Sequence, residues 1–193
     1  MFSTVHGFGN SRGRRWRSVM SDEAAKEKAE LEGRSIAHSA VTLSQVIMPA
    51  QTGPGGVYAH GGEIMKMMDT AAGLAALRHS HSAVVTLRVE GINFYHPIRV
   101  GNYVTVNARL THTSRSTMEI QATVTVEHVL KEMVWEALTA YFIFVALDEK
   151  GNPKNVPPLL VSTEEEKRLF AAGEERHNTC RIDEHFRTLC AVE

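Results

Sequence analysis

Asp69 is the residue of this chain that points most directly to chemistry. It lies in the run GEIMKMMDTAAGLAALR, residues 62–78, where most other side chains are apolar. Because burying an unpaired carboxylate costs several kcal/mol, an acid here indicates either a capping role or a cleft. In a cleft, Asp69 would act as a general base or a nucleophile. The alternative is that Asp69 caps a second helical segment beginning at Thr70, because DTAA is a good helix start.

The segment His60-Gly61-Gly62 comes directly before this run. Glycine lets a backbone approach a ligand closely, and the first residues of a helix carry N–H groups without intrahelical partners. Such donors stabilise negative charge that develops on a carbonyl oxygen. The alternative is a simple flexible loop, since residues 53–56 contain three more glycines.

The remaining histidines and serines give weaker signals. His79 and His81 follow the apolar run, where a helix C-terminus favours a cation, and they lack the acidic or cysteine companions of a metal site. His96 precedes Pro97 and is expected at a loop edge near the cleft. The sequence has no nucleophile elbow and no phosphate-binding glycine pattern, so we expect neither a metal nor a cofactor.

The elements that position these residues follow from hydrophobic periodicity. Residues 62–78 predict a helix of about 25 Å that is apolar nearly all round and hence buried on most sides. Period-two alternation predicts strands over 85–94, 104–110, 118–126 and 134–147, with a weaker strand over 40–48. The alternation changes phase at Gly91, which predicts a bulge.

This order of elements predicts an α+β chain with the hotdog architecture. One long buried helix is wrapped by a curved antiparallel sheet of about five strands. Because the edges of such a sheet need a partner, we expect at least a dimer.

Charge density divides the chain into three parts. Residues 39–160 carry 18 of the 43 charged side chains, and the flanks carry 25 in 71 residues. We therefore expect a folded domain over 39–160, a charged and partly disordered arm over 1–38, and a charged helical tail over 161–193 with a surface helix at 164–175. The net charge of -1 gives no reason to expect a nucleic acid or a membrane surface as a partner. The chain has only two cysteines, Cys180 and Cys190, which favours a reducing compartment.

The first 21 residues contain four arginines and no acid before Asp22. This composition is typical of an organelle transit peptide. An over-extended start, with Met20 as the initiator, and a disordered basic arm are the alternatives. We expect a cytoplasmic location, or a mitochondrial one if the arm is a transit peptide.

The stretch from His60 to Ala72 resembles the helix motif of hotdog-fold acyl-CoA thioesterases. The resemblance is to the acyl-CoA hydrolase branch, which includes bacterial short-chain enzymes and the brain-type cytosolic enzyme. Three further stretches agree in order and spacing: NFYHPIRVG at 93–101, SRSTME at 114–119, and AYFIFVALD at 140–148 followed by VPPL at 156–159. The resemblance covers about residues 40–160. Relatives in this branch usually carry Phe where this chain has His60.

The resemblance implies hydrolysis of acyl-CoA to a free acid and coenzyme A, which is part of the substrate. Asp69 would activate water or attack the thioester carbonyl, and the Gly62 N–H would polarise that carbonyl. The segment His60–Gly62 and Asp69 would come from opposite chains of a dimer. Such dimers commonly assemble as trimers of dimers.

The resemblance also implies a coenzyme A subsite. Arg115, Ser116 and Thr117 match the segment that lies near coenzyme A in relatives, and His96 joins this group at the cleft. Two other activities are compatible with the same fold. One is a non-enzymatic acyl-CoA-binding regulator, and the other is a hotdog hydratase or dehydratase.

Overall fold

The computed structural model of the protein describes residues 31–180. The predictions for the arm before residue 31 and for the tail after residue 180, including Cys190, lie outside the described residues.

Ten helices and strands build this part of the chain, along with 3-10 turns at Pro49–Gln51 and Val129–Lys131. They are β1 (Arg34–Ser35), α1 (Ile36–Ser39), β2 (Val41–Val46), α2 (Gly61–Ser80), β3 (Ala83–Phe94), β4 (Tyr103–Thr113), β5 (Thr117–His128), β6 (Met133–Leu147), β7 (Leu159–Leu160) and α3 (Glu164–Cys180). The helix predicted over 62–78 and the five predicted strands are therefore present. The surface helix predicted over 164–175 is also present and continues to residue 180.

The five longer strands form one antiparallel sheet in the order β2-β4-β5-β6-β3, and β1 pairs with β7 in parallel beside it. Helix α2 packs on the concave face of this sheet. The predicted α+β hotdog architecture is confirmed.

Alternating side chains decide which face of the sheet covers the helix. Val106, Val124 and Leu138 lie opposite one another in β4, β5 and β6, and all three are fully buried on the concave face. The neighbouring row points the other way and is polar: Asn107, Thr123 and Thr139. The period of two thus separates a core face from a polar face.

Helix α2 is packed through small side chains. Ala71, Ala72, Ala75 and Ala76 have no exposed surface, so the sheet approaches the helix closely. The helix is continuous through Asp69, and the Thr70 hydroxyl donates to the Lys66 carbonyl within it, at 2.8 Å. The alternative that Asp69 caps a second helix is therefore wrong.

One face of α2 remains open in the single chain. Met65, Leu74 and Leu77 are 37%, 39% and 42% exposed. The prediction that α2 is buried on most sides overlooked this face, because periodicity does not reveal which apolar positions a single copy can cover.

The phase change at Gly91 is a bulge, as predicted. Gly91 has φ of 60°, and the register of β3 against β6 shifts between Glu90 and Asn93. A left-handed residue inserted in a strand bends it and turns the following side chains over.

His79 departs from its predicted role as a cation at the helix end. Its side chain is fully buried, with Nδ1 2.9 Å from the Ser39 hydroxyl and Nε2 2.9 Å from the Pro157 carbonyl. Since a carbonyl only accepts, Nε2 carries the proton and Nδ1 accepts from Ser39. Burial lowers the pKa of His79, so the neutral ring is favoured. Its two hydrogen bonds connect α2 to α1 and to the segment that contains Pro157.

Acidification is expected to destabilise the protein through His79. Because burial lowers the pKa of His79 below the 6.5 of an ordinary histidine, the unfolded chain takes up this proton before the folded chain does. The stabilising contribution is complete above about pH 6.5 and is lost as the pH falls toward the folded-state pKa. Urea unfolding between about pH 8 and pH 5 measures the effect.

His112 contributes to the same slope, because burial and the neighbouring His177 lower its pKa as well. The variant His79→Gln should therefore remove part of the slope, and the double variant with His112→Gln most of it. An unchanged slope in His79→Gln would contradict the assignment.

Candidate active site

The first turn of α2 holds a cluster of backbone donors. His60 is the N-cap residue, and its Nδ1 accepts a hydrogen bond from the Gly62 N–H at 3.0 Å. The His60 carbonyl accepts from the Glu63 N–H at 2.9 Å. In the described part of the chain the Gly61 N–H has no hydrogen-bond partner. The predicted donors are therefore present, but the Gly62 N–H already donates to the imidazole of His60.

The loop before α2 fixes the position of His60. The Gly53 N–H donates to the Tyr58 carbonyl at 2.9 Å, and the His60 N–H donates to the Gln51 carbonyl at 2.8 Å. Gly55 and Gly56 form the tip with φ of 93° and 66°, a conformation that side chains other than glycine rarely adopt. The loop is thus a hydrogen-bonded turn.

Asp69 lies on the open face of α2. Its side chain is exposed in the single chain, and its Oδ1 accepts a hydrogen bond from the Thr86 hydroxyl at 2.8 Å. Thr86 belongs to β3, and the sequence analysis did not single it out. No local motif marks it, because only the packing of α2 against β3 brings the two residues together.

The donor cluster and the carboxylate are far apart within one chain. Gly62 and Asp69 are seven residues apart, which is nearly two turns and about 10 Å along the helix axis. A reacting carbon must lie about 3–3.5 Å from the atom that attacks it. One thioester therefore cannot contact the Gly62 N–H and Asp69 of the same chain.

A cavity of about 350 Å³ opens beside the helix N-terminus. Its lining includes the rings of Tyr58, Phe94 and His96. Phe94 packs against the helix start, where a Cβ on Gly61 would lie in ordinary contact with the ring, at 3.5 Å. His96 is thus near the donor cluster, as expected.

A larger cavity of about 770 Å³ lies at the other end of α2. Arg115, Lys150 and Lys154 line it, together with Asp148 and Glu149. The length of α2 separates this cavity from the one beside His96, by about 30 Å for 20 residues. The structure therefore does not bring Arg115 and His96 into one cavity within a single chain.

Ser116 and Thr117 shape the turn that carries Arg115. The Ser116 carbonyl accepts from the Ala146 N–H at 3.0 Å, and the Thr117 hydroxyl lies 2.8 Å from that of Ser114. Neither residue lines the cavity, so only Arg115 of the three predicted residues faces it.

Two further properties bear on the chemistry. Among residues 31–180 no three His, Cys, Asp or Glu side chains are grouped so that they could hold a metal ion. In the same range no helix combines the length and apolar character that crossing a membrane requires.

Comparison with known proteins identifies related chains. The model of the thioesterase superfamily matches residues 56–132. The cytosolic acyl coenzyme A thioester hydrolase of Mus musculus is 36% identical over 148 residues, which are 76% of this chain and 39% of the mouse protein. This chain thus spans about two fifths of that relative. The acyl-CoA thioester hydrolase of Salmonella typhimurium is 35% identical over 61% of this chain and 90% of its own length.

Solved structures share the fold. The acyl-CoA hydrolase of Bacillus cereus superposes with a TM-score of 0.75 at 28% identity, over 83% of this chain and 97% of its own. The acyl-CoA hydrolase of Staphylococcus aureus, solved with butyryl coenzyme A and coenzyme A, gives 0.72 at 26% identity over 81% and 96%. A hexameric thioesterase of Yersinia pestis gives 0.56 at 34% identity over 61% and 94%.

Removing the His60 ring should weaken the start of α2. His60→Ala leaves the Gly62 N–H without its acceptor, and loss of an N-cap side chain costs about 1 kcal/mol. Urea unfolding at constant pH measures the loss. His60→Asn restores a capping oxygen and should recover most of it. Equal stability of the wild type and the alanine variant would show that the Nδ1 contact does not stabilise the helix.

Proposed function

This chain belongs to the acyl-CoA thioester hydrolases of the thioesterase superfamily, and from that membership we propose that it hydrolyses acyl-CoA to a carboxylic acid and coenzyme A. One observation carries the proposal. Asp69 lies on the open face of α2 with its carboxylate oriented by the Thr86 hydroxyl at 2.8 Å.

A solved relative supports the pairing of these two residues. Alanine variants of one aspartate and one threonine of the Staphylococcus aureus hydrolase have been crystallised, and those two residues are 17 positions apart. Asp69 and Thr86 are also 17 positions apart. We therefore assign Thr86 the role of holding the Asp69 carboxylate in its reactive orientation.

The chemistry needs a base and a donor, and no metal. The Asp69 carboxylate takes a proton from water, and the hydroxide so formed attacks the thioester carbonyl carbon. Negative charge moves to the carbonyl oxygen, the carbon–sulfur bond breaks, and the thiolate leaving group takes the proton from Asp69. Direct attack by Asp69 through an anhydride is the alternative route to the same products.

The donor is the N–H of Gly62. In the absence of substrate it is satisfied by His60 Nδ1, and we propose that the thioester oxygen replaces this nitrogen as the acceptor. The unpartnered Gly61 N–H is adjacent, at the positive end of the α2 dipole. His60 thus keeps the donor oriented until substrate arrives.

The distance within one chain requires a second copy. Because Gly62 and Asp69 of one chain are about 10 Å apart along the axis, the carboxylate that acts beside Gly62 is Asp69 of the partner subunit. Two copies of α2 running antiparallel about a two-fold axis place each carboxylate beside the other donor cluster.

The open face of α2 suits such an arrangement. Its exposed apolar residues continue onto the neighbouring edge strand β3, where Val85 is 47% and Phe94 is 52% exposed. β3 pairs with β6 along one edge only, so a second β3 can extend the sheet. We propose a dimer through this face and, since a thioesterase of Yersinia pestis with the same fold is hexameric, a further assembly of three such dimers.

Coenzyme A is assigned to the cavity that contains Arg115. Its lysine and arginine side chains supply the positive charge that phosphate groups require. An antiparallel dimer brings this end of one chain toward the donor cluster of the other. Arg115 of one chain and His96 of the partner subunit would then lie on the same side of one site. By analogy with the mammalian relatives named cytosolic, we assign the protein to the cytosol.

Replacing the carboxylate should abolish turnover while leaving the fold intact. Asp69→Asn keeps the size of the side chain and removes the base, and a loss of at least about 10²–10⁴-fold in kcat is expected. Thr86→Val removes only the orienting hydroxyl and should cost on the order of tenfold. Release of free thiol from short, long and aromatic acyl-CoAs measures both.

Activity of Asp69→Asn close to that of the wild type would show that another group is the base. If the wild type hydrolyses no ester but binds acyl-CoA, the chain is instead an acyl-CoA-binding regulator.

Mixing two inactive variants tests whether the site spans two chains. Gly62→Pro removes the N–H donor in the first turn of the helix and displaces the His60 ring, which would lie 2.9 Å from a Cβ at this position. Asp69→Asn removes the base. Co-expression gives dimers of which half are mixed, and each mixed dimer has one intact site. About a quarter of the wild-type activity should therefore return.

The two variants assayed separately are the controls. If the mixture stays as inactive as each variant alone, Gly62 and Asp69 of the same chain form the site.

A further inference from the structure

Glu119 is a buried acid that the proposed reaction does not use. It lies on the polar face of the sheet, in β5, and is only 5% exposed. Its carboxylate accepts two hydrogen bonds from Arg176 of α3, from Nε at 3.0 Å and from Nη2 at 2.7 Å. The Thr111 hydroxyl donates a third at 2.6 Å. This bidentate ion pair fixes the orientation of the Arg176 guanidinium as well as its distance from the carboxylate.

Helix α3 lies directly on the strands at this point. The Arg176 guanidinium is 4.0 Å from the centre of the Tyr141 ring, and the His112 ring is 4.8 Å from that of Phe170. A Cβ on Gly173 would lie 2.6 Å from the His112 Cβ and 2.8 Å from Glu119 Oε1. Glycine at 173 therefore allows the helix backbone to reach the sheet.

The contact between α3 and Glu119 lies at the base of the hairpin formed by β4 and β5. His112 and Glu119 are partners across β4 and β5, and the turn between the two strands is closed by the Ser114 N–H and the Thr117 carbonyl at 2.9 Å. Arg115 lies at the tip of this turn and lines the 770 Å³ cavity. The backbone of the turn is also held from the other side, where Val156 N–H donates to the Arg115 carbonyl at 2.9 Å.

We propose that Arg176, acting through Glu119, is a positioning residue that holds the β4–β5 turn so that Arg115 can bind coenzyme A. This inference rests on the proposed function. The cavity and the α3 contact lie at the tip and at the base of the same hairpin, so we expect loss of the contact at the base to displace the tip. Arg176 does not contact the reacting atoms, and its effect is on the affinity for coenzyme A and not on the chemical step.

The experiment compares two arginines of α3 in the full chain. Arg176→Met removes the paired arginine, and Arg168→Met removes an exposed arginine of the same helix and is the matched control. We expect KM for a short acyl-CoA and Kd for free coenzyme A to rise on the order of tenfold in Arg176→Met, with kcat unchanged. Arg168→Met should match the wild type.

Arg176→Lys keeps the charge but loses the two-pronged geometry, and it should give an intermediate KM. This variant also covers the case in which the methionine variant does not fold. If Arg176→Met lowers only the thermal midpoint and leaves KM and Kd unchanged, α3 is merely structural and the inference is overturned. A fall in kcat at constant KM also overturns it. Failure of the wild type to hydrolyse any acyl-CoA would count against the proposed function instead.

Discussion

The close packing of α2 into the concave sheet is the constraint on which the remaining structure depends. Four alanines on the inner face of the helix are fully buried, and their small side chains let a sheet of five strands curve around it. Larger residues there would hold the sheet away and open voids, which protein interiors do not tolerate well. Once this face is fixed, the opposite face of α2, with Met65, Asp69 and Leu74, must point away from the sheet.

That orientation accounts for the divided site. Because the rise per residue of an α-helix is fixed, Gly62 and Asp69 keep their separation of about 10 Å along the axis whatever surrounds them. The chain cannot bring its own donor to its own carboxylate, and a second copy supplies the missing half in the arrangement proposed above. The apolar residues left open on α2 and β3 belong to the same face as Asp69. Assembly and catalysis would then depend on one surface, so that a monomer has neither a covered face nor a complete site.

Two polar networks fix what hydrophobic packing leaves free. His79 bonds Ser39 and the Pro157 carbonyl on one side of the core, and Glu119 bonds Arg176 and Thr111 on the other face of the sheet. Apolar contacts are non-directional and tolerate sliding, whereas these hydrogen bonds specify how α1 and α3 lie on the domain. The His79 network includes a ring whose pKa is lowered by burial, so its contribution to stability varies with pH where that of the aliphatic core does not.

The sequence by itself determined the fold class, the long helix, the five strands and the bulge at Gly91, because these depend on local periodicity and on the backbone freedom of glycine. The motif from His60 to Ala72 also identified the region of the site through its resemblance to a family. Only the tertiary structure decided that α2 runs unbroken through Asp69, that Thr86 orients this carboxylate and that His60 occupies the Gly62 N–H. It also showed that His79 is buried, which lowers its pKa, and that Glu119 pairs with Arg176. The contacts of Thr86 with Asp69, of Arg176 with Glu119 and of His79 with Pro157 join groups that are distant in sequence and meet only when helices and strands pack. The pattern of residue types along the chain does not predict such contacts, since a polar residue at a given position can have either water or another side chain as its hydrogen-bond partner.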